Sequence, residues 1–398
     1  MTSRHPFSRR GLIRGGGALA AAAAFRTSLW APAARAAVTA DKPALLVVYL
    51  AGGYNSLFSS ADSFVAANTF GVSSTNTQAL GGGLVVDKAT YGTLDPFSLG
   101  HMATVGMRHG VTNHAGAQAA TMTNGTHNVL LQLAAAIGGD AAIKAAVVGS
   151  NGPPGPRTAE GAVSLQSITD MKSTIAALGG LTDPTIPDRK IAMGGLTNAR
   201  AMSASELSAS PQALTSVTEG YQAGIDTLSK PVQQFDYTAL ATAYGISPTA
   251  TSVSGFTAQM VAAELMITAG ANVVFARDSG WDTHGDRDGA KVRTQMNSRI
   301  LPGLRTFLKR MIEAPGRNVV VAIMGEFARS LPGSDHAASL SPTVIGKRVK
   351  VGTTGRVNAS VQLPTGSPGA LPFWAYVANT LDVASSPFGP NPHTSILL

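Results

Sequence analysis

Four short runs of apolar residues punctuate the chain, each closing on glycine or polar residues. Ala44–Leu50 leads into Ala51-Gly52-Gly53, and Ala145–Val148 into Gly149. Ala271–Phe275 leads into Arg277-Asp278-Ser279-Gly280, and Asn318–Met324 into Gly325-Glu326. Apolar runs without alternation predict strands buried on both faces. Between them, apolar residues at helical spacing predict helices over Asn128–Ile137, Thr257–Ala269 and Val292–Ile312, the last broken near Pro302. This order predicts right-handed βαβ units: an α/β fold with a mostly parallel central sheet flanked by helices on both faces. The Ser-, Thr- and Ala-rich stretch at about 196–251 reads as a helical insertion or cap, and 330–370 as loops with short β segments. Ligands of such sheets sit at the carboxyl ends of the strands, so the polar residues after each run are the ones to examine.

Composition narrows the chemistry. With 44% hydrophobic and 13% charged residues the chain can bury a large core, which excludes a disordered protein or a coiled coil. The absence of cysteine excludes disulfides, thiolate metal sites and thiol nucleophiles. The net charge of +8 is mostly local, because residues 1–36 carry six arginines and no acid. The remainder has 24 basic against 22 acidic residues and no basic block, which argues against nucleic acid as a partner.

The N-terminal segment reads as a targeting signal. Ser8-Arg9-Arg10-Gly11-Leu12 resembles the twin-arginine export motif, Gly15–Phe25 is a short weakly apolar stretch, and Ala34-Arg35-Ala36 has cleavage-site form. The segment is too short to span a bilayer, and Val129–Val148, the next most apolar stretch, is broken by Asp140 and Lys144. The expectation is a signal over 1–36, passage through the twin-arginine machinery and a single periplasmic or secreted domain over 37–398 with no stable membrane span.

Four segments could carry chemistry, one of them Gly52-Gly53-Tyr54-Asn55-Ser56, whose glycines allow a sharp turn or close approach to a ligand and whose Asn55 could offer an uncharged carbonyl oxygen to a metal. In Gly280-Trp281-Asp282-Thr283-His284, extended backbone projects Asp282 and His284 from one face, as half of a divalent-metal site or as a local cap and packing residue. Glu326 stands at a strand end, and Asp335-His336 follows the turn-forming Pro332-Gly333-Ser334. A loop ion pair between Asp335 and Arg329 is the plainer alternative there. Thr126, before the helix that opens near Asn128, suits either a helix cap or a nucleophile. His101, His109 and His114 read as packing or surface residues, one of which could complete a metal shell, and His393 as part of a tail.

The segments Gly280–His284, Gly325-Glu326-Phe327-Ala328-Arg329 and Ser334-Asp335-His336 together resemble the DUF1501 family of exported bacterial proteins, which is grouped with the alkaline phosphatase/sulfatase superfamily. Ala328 stands where that family usually has glycine. Gly52-Gly53-Tyr54-Asn55 resembles its Gly-Gly-x-Asp segment, with Asn55 in place of the aspartate, and Thr126-His127 resembles its Ser-His pair. The resemblance implies an alkaline-phosphatase-like fold with divalent metal (Zn, Mn, Mg or Ca) at the strand ends. It implies Asp282 and His284 on one metal and Asp335 and His336 on the other, with Asn55 as a weaker ligand. It also implies Thr126 as the nucleophile, and Glu326 as a further ligand or a base behind the ligands.

The expected function is an exported metal-dependent hydrolase of phosphate or sulfate esters, acting on a small-molecule ester. The alternative is a non-catalytic secreted binding or assembly protein that retains the fold and takes some other ligand.

Overall fold

Runs of valine, leucine and alanine have no polar face to offer water, and in the computed structural model they form the centre of an eight-stranded sheet. The structure describes residues 41–54, 58–59, 72–161, 163–179, 189–208, 218, 221, 235–330, 335–358 and 360–398. The predicted export segment, Asn55 and the Pro332-Gly333-Ser334 turn lie outside them.

The strands are β1 (Lys42–Ala51), β2 (Met102–Thr104), β3 (Ala145–Val148), β4 (Leu165–Ile168), β5 (Val273–Ser279), β6 (Arg317–Met324), β7 (Thr343–Gly346) and β8 (Gly352–Thr353). Their order across the sheet is β8-β2-β7-β6-β1-β5-β3-β4. The five strands from β6 to β4 are mutually parallel, β7 runs against β6 and β2, and β8 pairs parallel with β2. The sheet is therefore mostly parallel, as predicted, with β7 as the reversed strand.

Alternate residues of β1 serve two cores. Leu45, Val47 and Tyr49 pack with residues of α2 (Val129–Ile137) and α6 (Ala370–Thr380), whereas Leu46, Val48 and Leu50 pack with residues of α4 (Phe256–Thr268) and α5 (Leu301–Met311). A central strand covered by helices on both faces can be apolar at every position. The helix predicted over Val292–Ile312 is in fact two α segments, Ala290–Gln295 and α5, joined by a π-helical turn at Met296–Ile300, and Pro302 falls in the first turn of α5.

The chain divides into two compact units. The larger comprises Ala40–Leu178 and Phe235–Leu398, including the sheet and residues 235–251 of the predicted insertion. The smaller comprises Met1–Thr39 and Gly179–Gln234, and its main described element is the helix α3 (Arg189–Glu206). Among the described residues no helix is long and apolar enough to cross a membrane.

Candidate metal centre

β1, β5 and β6 lie side by side, so the segments that follow them emerge together at one rim. After β1, Gly52 turns with φ +116°, and a Cβ there would stand 2.1 Å from the Asp282 nitrogen. Only glycine lets the two backbones meet this closely. The Trp281 amide donates to the Ala51 carbonyl at 3.1 Å, and the Trp281 indole donates to Asp278 at 2.7 Å. The extended segment then alternates as predicted: Trp281 and Thr283 are fully buried, while Asp282 and His284 are half-exposed at 47% and 52%.

Behind the same turn, the hydroxyls of Tyr54, Ser59, Tyr91 and Thr343 form a buried network, with Tyr54 bonded to Thr343 at 2.6 Å. The Tyr54 amide donates to the Phe327 carbonyl at 2.8 Å, which ties the turn after β1 to the segment after β6. Glu326 in that segment is fully buried. Its Oε1 accepts from the Gly52 amide at 2.9 Å and from His114 Nδ1 at 2.8 Å.

His114 opens the helix α1 (His114–Met122), which is capped by Asn113. With Nδ1 committed to Glu326, its Nε2 faces Asp282 Oδ2 at 3.5 Å. His336 repeats the pattern. Two-residue strands pair Arg329 with His336 and Ser330 with Asp335. His336 Nδ1 lies 2.6 Å from the Thr112 carbonyl, which can only accept, so the proton is on Nδ1. Its Nε2 is buried, has no hydrogen-bond partner among the described residues, and lies 3.8 Å from Asp282 Oδ1. His284 Nε2 is 3.2 Å from that same oxygen, and its Nδ1 is 4.0 Å from Asp335.

The result is a cluster of three imidazoles around Asp282. Two triads have ligand atoms within 4.8 Å of one another: His114, Asp282 and His336, and His284, Asp335 and His336. Burial works to raise the Asp282 carboxyl, but Arg329, His114 and His284 outweigh it and hold the group below its ordinary value. The Asp335 carboxyl is lowered first by the His336 amide, which donates to it at 2.8 Å, and then by the neighbouring His336 and His284 imidazoles and Arg329. The side chain seen on Arg329 is Asp282, rather than the Asp335 partner of the alternative reading.

The structure thus gathers Asp282, His284, Asp335, His336 and Glu326, and adds His114. Thr126 does not join them. It occupies the exposed turn of a hairpin between Thr123–Asn124 and His127–Asn128, and the residue that caps α2 is Asn128, whose side chain accepts from Leu130. The hairpin begins at the far end of α1 from His114, roughly 13 Å along an axis that rises 1.5 Å per residue. His101 stacks on Phe97 and bonds its carbonyl, as a packing residue would. His393 is 2% exposed and bonded to Thr354, rather than part of a loose tail.

Glu326 acts on His114 by fixing its tautomer and direction, as carboxylates behind ligand imidazoles do. Glu326→Gln is expected to weaken zinc binding about 10- to 100-fold while leaving the fold intact. Zinc titration calorimetry beside far-ultraviolet circular dichroism checks this, and unchanged affinity would remove Glu326 from that role.

Residues 192–360 match the model of the family described as "Protein of unknown function (DUF1501)". The matched stretch holds Asp282, His284, Glu326, Arg329, Asp335 and His336, while Gly52 and His114 precede it. No curated protein matches the chain.

Proposed function

We propose that the rim cluster is the divalent-cation centre of an exported hydrolase of phosphate or sulfate esters, with an alkaline-phosphatase-like arrangement. The observation that carries this reading is the state of His114 and His336. Each commits Nδ1 to an acceptor and turns Nε2 toward the carboxylate of Asp282. In the neutral imidazole that nitrogen holds a lone pair. Lone pairs aimed at a carboxylate suit a cation between them, and a donor set rich in imidazole favours zinc or manganese over magnesium or calcium.

A cation held there would polarise an ester oxygen and stabilise the charge that develops on the transferred group. The residues of the chain supply the rest. Asp282, His114 and His336 would hold the cation, and Glu326 keeps His114 directed. His284 is half-exposed, with Nε2 beside Asp282 and Nδ1 toward solvent-accessible Asp335. It is placed to take a proton on Nδ1 from an attacking water as the phosphorus–oxygen or sulfur–oxygen ester bond breaks, while the departing oxygen takes its proton from solvent. Water replaces Thr126 as the proposed nucleophile, because Thr126 lies away from the cluster.

Elemental analysis of protein purified from an export-competent host, followed by a screen of aryl phosphates and sulfates, tests the reading. About one zinc or manganese per chain is expected, lost in Asp282→Ala and in His336→Ala. Turnover is expected to fall at least ~100-fold in His284→Ala, within the range of general-base catalysis, and to persist in Thr126→Ala. Failure of the wild type to take up either ion would sink the proposal. The second reading, a binding or assembly protein that keeps the fold, is favoured by the Arg329–Asp282 pair and would show as bound ion without turnover of any ester.

A further inference from the structure

Arg329 is the most deeply buried cation among the described residues. Its side chain is fully buried. The guanidinium carbon lies 5.8 Å from the centre of the Phe327 ring, and Gly53 makes room for the stem, since a Cβ there would stand 2.8 Å from Arg329 Cδ. Nη2 donates to Asp282 Oδ1. Nε and Nη1 are buried and, among the described residues, have no hydrogen-bond partner. Arginine keeps its charge in proteins, and a buried donor without an acceptor costs about 1–3 kcal/mol. This planar fork therefore has a single acceptor where it could serve several.

That acceptor is also the carboxylate at the middle of the histidine cluster. Oδ1 of Asp282 lies near His284 and His336, and Oδ2 near His114. A cation seated among His114, Asp282 and His336 would draw on the oxygen that Arg329 holds.

The geometry points to Arg329 as the resident partner of Asp282 that a divalent cation displaces, and to the released guanidinium, beside that cation, as a site for a tetrahedral oxyanion, phosphate or sulfate. This rests on the reading of the cluster as a cation centre. As a pair, Asp282 and Arg329 are neutral. With a divalent cation added, the three carry a surplus of two positive charges, which the buried Glu326 carboxylate on His114 reduces to one, so the site stays net positive toward an oxyanion. Asp335 is 74% exposed, so solvent screens its charge. The planar fork can meet two oxyanion oxygens at once. Cation and oxyanion then bind cooperatively, and each tightens the other by the same factor.

The test is calorimetric, with chelator-stripped full-length protein, manganese, and inorganic phosphate or inorganic sulfate as separate probes. Manganese-loaded wild type is expected to bind at least one of the two at least ~10-fold more tightly than stripped protein, a coupling in the usual range for linked sites. Whichever binds identifies the ester class, and binding of neither overturns the inference. Arg329→Gln is expected to bind manganese as tightly as wild type or more so, having lost the competitor for Asp282, and to lose the oxyanion enhancement. Arg329→Lys keeps the buried charge if Arg329→Gln fails to fold, and its point charge is expected to cut the enhancement about tenfold. Enhancement unchanged in either folded variant would overturn the inference while leaving the cation centre standing. Wild type that takes up no manganese would overturn both.

Discussion

Replacing Gly52 by alanine is expected to destabilise the protein by about 2–6 kcal/mol and to abolish cation binding. Two costs combine. At φ +116° an L-residue sits in strained backbone, worth about 1–3 kcal/mol. The new Cβ would also stand 2.1 Å from the Asp282 nitrogen and 2.5 Å from the Trp281 carbonyl carbon, so backbone rather than a flexible side chain must yield. Overpacking of that kind costs a further 1–3 kcal/mol or so. The movement would also draw the Gly52 amide from Glu326 and push Asp282 away from His114. Gly125→Ala is the control. Gly125 also has positive φ, +61°, but open space around it, and about 1 kcal/mol is expected there. Urea midpoints and zinc uptake of the two variants decide the matter, and equal stability would show that the approach of β1 to Asp282 is not constrained as described.

The second large effect is acid sensitivity well above the carboxylate range. Burial lowers His393 from its ordinary 6.5 to about 4, and burial likewise lowers His109 to about 4. Below pH 6.5 the unfolded chain takes up these protons and the folded chain does not. Stability is therefore complete above about pH 6.5 and is lost as pH falls toward 4. For His393, 2% exposed, the loss amounts to about 2 kcal/mol by pH 5. His109 adds to it, because its Nδ1 accepts from the Val111 amide at 3.2 Å and protonation there would break that bond. Asp282 and Asp335 work in another window. Their lowered folded values make contributions that persist until pH drops below about 3.8. Unfolding free energies at pH 7.5 and 5.0, measured in chelator, should differ accordingly, and His393→Gln should shrink the difference. Stability that stays level between those values would contradict the burial described for both imidazoles.

What the residue pattern shows of the fold depends on how local each cause is. β1, β3 and β6 are legible because buried parallel strands are apolar throughout. β5 starts at Val273, two residues later than its apolar run, and the Asn272 side chain before it bonds the carbonyls of Ala134 and Gly138. β2 and β8 are three and two residues long and β4 carries Gln166 and Ser167, so they give no periodic signal. Asp282 and His284 are legible from period-two spacing, and Glu326 from its place at a strand end. His114 is a member through tertiary geometry: α1 brings it to Glu326 across 212 positions of sequence, and nothing in its neighbourhood marks it off from His101. Thr126 fails for the converse reason. A hydroxyl near a predicted helix start looks like a site residue, but a two-residue hairpin moves the helix boundary past it.

The bond from His336 to the Thr112 carbonyl limits stoichiometry. It leaves that imidazole one nitrogen with a free electron pair, and one pair serves one ion. Both triads include His336, so a cation bound there would have two alternative seats, one toward α1 and one toward solvent. Loading at this ring is therefore expected to saturate at one equivalent in a calorimetric titration.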